Sequence, residues 1–134
     1  MNKAILFEES AVRIVLKELK KQGYKWKNLE YVNKGRYCIV YGEPNIAILL
    51  KTKPFKNFGY QFRHLGAEGV GDSINSDMLK LFVRKNIVKV YTQFRDGKLY
   101  VAELMDILRE SFSWQQKEGT EVRSYSIHLY KRVN

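Results

Sequence analysis

Two five-residue apolar runs, Tyr37-Cys38-Ile39-Val40-Tyr41 and Ile46-Ala47-Ile48-Leu49-Leu50, flank the turn Gly42-Glu43-Pro44-Asn45. No other feature restricts the fold as much. The runs are too short for helices, their turn signals come too close together, and they are rich in β-branched and aromatic residues. They predict buried strands of an antiparallel meander. Asn28–Asn33, closed by Asn33-Lys34-Gly35, predicts a strand before them.

A helix over about residues 4–22 precedes the meander. Ile5, Val12, Val15, Leu16 and Leu19 recur at three- and four-residue steps and make one apolar face. Glu8 and Glu9 near its start, Lys17, Lys20 and Lys21 near its end, and Gly23 beyond suit the helix dipole and a glycine C-cap. Residues 52–75 read as irregular. A second helix starts near Ser76, with Asp72 or Ser73 as the expected cap. Val88–Phe94 and Lys98–Ala102 flank the hairpin signal Asp96-Gly97. A short helix over about Met105–Ser111 follows. A last strand, about Glu121–Val133, sets Tyr125, Ile127 and Leu129 on one face and Ser124, Ser126 and His128 on the other.

The predicted order is therefore α-β-β-β-α-β-β-α-β. It implies an α+β single domain, residues 1–134, with a mixed or mostly antiparallel sheet and helices packed on it. The length of 134 residues suits one core, and 45% hydrophobic against 28% charged residues is globular composition. No apolar run reaches the ~18–20 residues of a membrane span, and MNKAILFEES lacks the apolar core of a signal peptide. The single cysteine, Cys38, rules out an internal disulfide framework and a cysteine-based zinc site. A cytoplasmic protein with no membrane partner is the expectation.

The net charge is +10, and it is localised. Residues 17–63 hold eleven basic residues against three acidic ones, which accounts for +8. Polyphosphate is the commonest partner of such a field, because each neutralised phosphate releases counterions. Within this stretch, Phe58, Tyr60 and Phe62 alternate, so an extended chain sets them on one face as stacking platforms for single-stranded bases. Lys51, Lys53, Lys56 and Arg63, within thirteen residues, suit phosphates. The same alternation serves a strand that packs its rings into a core. The glycine cluster Gly66-Ala67-Glu68-Gly69-Val70-Gly71-Asp72 matches neither a P-loop nor a dinucleotide fingerprint. His64 and His128 could serve as acid and base only if the fold brings them together.

Glu8 falls near the centre of the first helix's apolar stripe and Glu9 at its edge. A carboxylate there must be paired, hydrogen-bonded or bound to a metal. If the helix began only at Ser10, both would instead be exposed partners of its dipole.

Four features of the N-terminal half belong together: Glu8-Glu9-Ser10-Ala11-Val12, then Leu19-Lys20-Lys21-Gln22-Gly23-Tyr24, then Glu43 after Tyr37–Tyr41, and Lys51 closing Ile46–Leu50. Over roughly residues 4–53 they resemble the start of the PD-(D/E)XK nuclease fold, which includes the archaeal junction-resolving enzymes. The resemblance implies metal-dependent DNA cleavage. Glu8 or Glu9, Glu43 and Lys51 would be catalytic, and Glu9 and Glu43 would hold Mg2+ or Mn2+. Where that family has its second acid, two positions before the lysine, this chain has Leu49. Either Glu9, Glu68 or Asp72 replaces that acid, or the fold is retained without cleavage.

The sequence thus points to a nucleic-acid-binding protein, DNA favoured over RNA, with metal-dependent endonuclease activity as its enzymatic form. The alternatives are a non-catalytic nucleic-acid-binding accessory module and a small interaction protein of a mobile element. A homodimer is compatible with the sequence and not required by it.

Overall fold

The computed structural model describes residues 3–33, 36–51, 71–115, 119 and 121–134. The fold is α+β. Helix α1 (Lys3–Lys21) leads into strands β1 (Trp26–Val32), β2 (Tyr37–Gly42) and β3 (Ile46–Lys51). Then come β4 (Gly71–Asn75), α2 (Ser76–Arg84), β5 (Lys89–Phe94), β6 (Leu99–Glu103) and α3 (Leu104–Glu110). Strands β7 (Phe112–Gln115) and β8 (Glu121–Ser126), a 3-10 turn at Ile127–Leu129 and β9 (Lys131–Arg132) complete the order.

The main sheet has six strands in the order β1-β2-β3-β5-β6-β9. All its pairings are antiparallel except β3 with β5, which run parallel with Ile46 beside Lys89 and Lys51 beside Phe94. Joining two parallel neighbours takes a crossover, and β4 and α2 lie within it. A second, smaller antiparallel sheet has the order β4-β8-β7.

Alternation along β3 divides the core in two. Ile46 and Ile48 face α1, where they meet Val12, Val15, Leu16 and Leu19, together with Cys38, Val40, Tyr91 and Leu99. Ala47 and Leu49 face the other way, toward Leu79 and Phe82 of α2, Leu104 and Ile107 of α3, and Ile74 and Tyr125 of the small sheet. Both faces of the central strand are covered, which is why it reads as an unbroken apolar run. Burial at Cys38 pushes its thiol up to about 11, so it stays protonated as a core residue.

Four sequence expectations are corrected here. Part of the stretch read as irregular forms β4, and the α2 cap is Asn75, whose side chain accepts from the backbone N–H groups of Asp77 (2.8 Å) and Met78 (3.3 Å). Residues 112–115 form a further strand. The single last strand is two strands in different sheets, separated by the 3-10 turn, and Ser124 on its supposed polar face is fully buried.

Candidate nucleic-acid interface

The turn between β2 and β3 organises one end of the molecule. Helix α1 closes on Gly23, at φ +89°, with Gly23 N–H donating to Lys20 O and Tyr24 N–H to Leu19 O, both at 3.0 Å. The Tyr24 hydroxyl donates to Pro44 O (2.7 Å), and Glu43 N–H to Lys25 O (3.1 Å). Asn45 reaches the other way, its side-chain amide donating to Lys85 O (3.0 Å) and its backbone carbonyl accepting from Val88 N–H (2.9 Å). Gly42 has no room for a side chain: a Cβ there would lie 2.5 Å from Lys25 O and from the Tyr24 hydroxyl. This turn ties the α1–β1 junction to the α2–β5 junction.

The tie gathers cations. Lys17, Lys20 and Lys21 are exposed on the last turns of α1, and Lys25 and Lys27 flank Trp26 where β1 begins. Trp26 itself is 41% exposed, a large aromatic surface left open beside lysines on an edge strand. Lys85 lies over the Tyr41 ring, 5.7 Å from its centroid, and Lys89 opens β5. Lys21 approaches Glu18 at 4.0 Å, whereas Lys20, Lys25, Lys27 and Lys89 make no ion pair among the described residues. A cleft of about 250 Å³ opens amid these lysines, lined by Leu19, Gln22, Tyr24, Glu43, Lys89 and Tyr91 among others. Burial and the neighbouring Tyr91 push Tyr24 up to about 12, and burial with the Glu103 carboxylate raises Tyr91. Both phenols are neutral at physiological pH.

The residues singled out by the resemblance do not converge. Helix α1 begins at Lys3, so Glu8 and Glu9 lie within it rather than ahead of it, and Glu9 is half-buried. Lys51 shares the face of Leu49, opposite to the face that α1 covers, and its ammonium donates to Ser73 O of β4 (3.1 Å). The sheet therefore stands between Lys51 and helix α1. Glu43 is exposed beyond the other end of β3. The strand's five steps from Ile46 to Lys51, at about 3.3 Å each, span about 17 Å. Glu43 and Leu19 line the same cleft. Glu9 is ten residues earlier on α1, about 15 Å along its axis.

A divalent ion needs several oxygen ligands in one place. Leu49 is 1% exposed, and its register partners are Tyr37 on β2 and Thr92 on β5, so no carboxylate flanks it within the sheet. The Tyr37 ring packs edge-on against Phe82 at 6.0 Å, closing that face with hydrocarbon. Among the described residues, no three His, Cys, Asp or Glu side chains group as metal ligands. The Glu9 and Glu43 placement does not fit Mg2+ or Mn2+.

Lys53, Lys56, Phe58, Tyr60, Arg63, His64, Gly66, Glu68 and Gly69 lie outside the described residues. His128 is exposed, with its Nε2 3.6 Å from Glu110. Sequence reasoning recognised the charge of this region but not the cleft. Its lining comes from α1, the β2–β3 turn and β5, so no local pattern of residues announces it. No helix among the described residues is long and apolar enough to cross a membrane. Compared with known proteins, the chain matches no family model, no curated sequence and no solved structure.

Proposed function

We propose that this protein binds nucleic acid, DNA in preference to RNA, through its lysine-rich end, as a non-catalytic module. The observation that carries the reading is the group Lys20, Lys21, Lys25, Trp26 and Lys27, exposed together where α1 passes into β1. Cations of this kind contact phosphates whatever the sequence, and an exposed indole offers a base a stacking surface. Lys53, Lys56, Phe58, Tyr60 and Arg63 would extend the surface, and a cytoplasmic location fits the same reading. In these terms the resemblance to the nuclease fold is that of an arrangement kept without its acids, with Leu49 and Tyr37 packed where oxygen ligands would be needed.

The test is direct. Labelled single- and double-stranded DNA and RNA are incubated with the protein at low salt, with and without Mn2+ or Mg2+. Shifted bands without cleavage are expected, weakening steeply as salt rises. Metal-dependent cleavage would replace this reading with the enzymatic one. Absence of any shift at low salt would leave a protein-interaction role.

A further inference from the structure

Within the lysine-rich end, the cleft between α1, the β2–β3 turn and β5 is lined by polar groups, several of them without a side-chain partner among the described residues. Tyr91 is only 8% exposed and lines the cleft, yet its hydroxyl makes no hydrogen bond among the described residues. A hydroxyl at the wall of an open cleft, with no partner there, is available to donate to a molecule that enters it. Lys89, half-buried beside it, has no ion pair among the described residues, and the Gln22 amide adds further N–H donors. The Glu43 carboxylate, on the turn side, is the acceptor. The cleft thus presents donors from Gln22, just past α1, and from β5, and one acceptor from the β2–β3 turn, with the Tyr24 and Tyr91 rings among its walls.

From this we infer that the cleft takes a single unstacked guanine base from the bound strand. The inference rests on the nucleic-acid reading above. Guanine displays two acceptors, O6 and N7, and a neighbouring pair of donors, N1–H and N2–H2. Tyr91, Lys89 and Gln22 donate to the first pair, and Glu43 accepts from the second. Adenine would set the N1 lone pair against the carboxylate. Thymine and cytosine offer a carboxylate one donor position and not two. The volume is below the ~300–1,000 Å³ of drug-sized ligand pockets, suited to one ring system and not to a whole nucleotide. Lys20, Lys25 and Trp26 outside the cleft hold the adjoining backbone and bases, and unstacking costs least when the strand is already single.

The experiment compares four single-stranded oligonucleotides of about eleven thymidines, the central one kept or replaced by guanine, inosine or adenine. Affinities are measured by fluorescence anisotropy on the wild type, Glu43→Gln and Tyr91→Phe. The quantity read is the ratio of each affinity to that of the all-thymine strand, which cancels any general change in charge or folding. In the wild type the guanine ratio is expected at about ten-fold, the discrimination of one good bidentate pair. Inosine, which lacks the N2 amino group, and adenine are both expected near unity. In Glu43→Gln the guanine ratio is expected to fall to about unity, and in Tyr91→Phe to fall several-fold. Equal wild-type affinities for all four strands overturn the guanine site and leave general binding standing. An adenine ratio equal to that of guanine overturns the base assignment. Failure of every strand to bind at low salt overturns this inference together with the function it rests on.

Discussion

The parallel strands β3 and β5 have similar side chains at their two ends and use them differently. At their carboxyl end, tyrosines and cations satisfy one another. Phe94, Tyr100, Tyr125 and Tyr130 meet ring to ring at centroid distances of 5.6–6.2 Å, and the Tyr125 and Tyr130 hydroxyls share a 3.0 Å hydrogen bond. Arg132 lies over Tyr100 at 5.5 Å, and Lys51 is held by the Ser73 carbonyl. At their amino end, Tyr24 and Tyr91 line an open cleft, and Lys20, Lys25, Lys27 and Lys89 are unpaired among the described residues. The same residue types act as structure at one end and as a candidate binding surface at the other. What separates them is the partners that the topology supplies: strand β4 of the second sheet reaches Lys51 at the carboxyl end, whereas at the amino end the end of α1 and the β2–β3 turn leave a cleft open.

The comparison breaks most visibly at Leu49. Leu49→Glu places an acid two positions before Lys51, but it does so inside the core of Ile39, Ile74, Leu79 and Phe82. A loss of about 4 kcal/mol or more in chemical denaturation is expected. A stable variant that gained Mn2+ binding would show the carboxyl end to be a dormant metal site. Next in size is Gly42→Ala at the amino end. Its methyl group would crowd Lys25 O and the Tyr24 hydroxyl and force the turn to move, at a cost of about 1–3 kcal/mol. A neutral result would mean that the turn adjusts freely, and the cleft with it.

Two smaller effects sharpen the contrast. Changing Lys20, Lys21, Lys25 and Lys27 together to Gln is expected to lower the slope of log affinity against log salt by about three. Lys51→Ala should lower it by less than one, because that ammonium already serves Ser73 O. Equal effects would make the two ends alike in binding. The smallest signal is spectroscopic. The Tyr24 phenol stands at about 12 against an ordinary 10.0, chiefly through burial and then through Tyr91. The stability gained by keeping it neutral is whole below pH 10 and is lost as pH rises through 12. The difference in alkaline ultraviolet titration between wild type and Tyr24→Phe should therefore have its midpoint near 12. A midpoint at 10 would show the cleft to be fully hydrated.

Much of this was legible in the residues. The α1 stripe, the turn at 42–45 and the Asp96-Gly97 hairpin each carry a local signal, and the α+β class follows from their order. What was hidden depends on distant contacts. Strand β4, with the sequence Gly71-Asp72-Ser73-Ile74-Asn75, has one apolar residue among five and pairs with β8, some fifty residues later. The alternation from Tyr125 to Leu129 cannot reveal that the chain leaves one sheet for the other between them. The candidate site suffered similarly. Leu49 in place of an acid was visible at once. That Lys51 and helix α1 occupy opposite faces of the sheet required the register of β3, because a strand sends neighbouring side chains to opposite sides.

The parallel seam also governs how quickly this chain can assemble. Strands β1, β2 and β3 pair with their sequence neighbours, as do β5 and β6, so each group closes short loops and can form early. The contact of Ile46 with Lys89 joins residues about forty positions apart, and it needs both groups in place first. Long-range pairing, of β3 with β5 and of β4 with β8, is the expected rate-limiting event, with Ile48 and Val90 as positions where truncation should slow refolding more than it speeds unfolding.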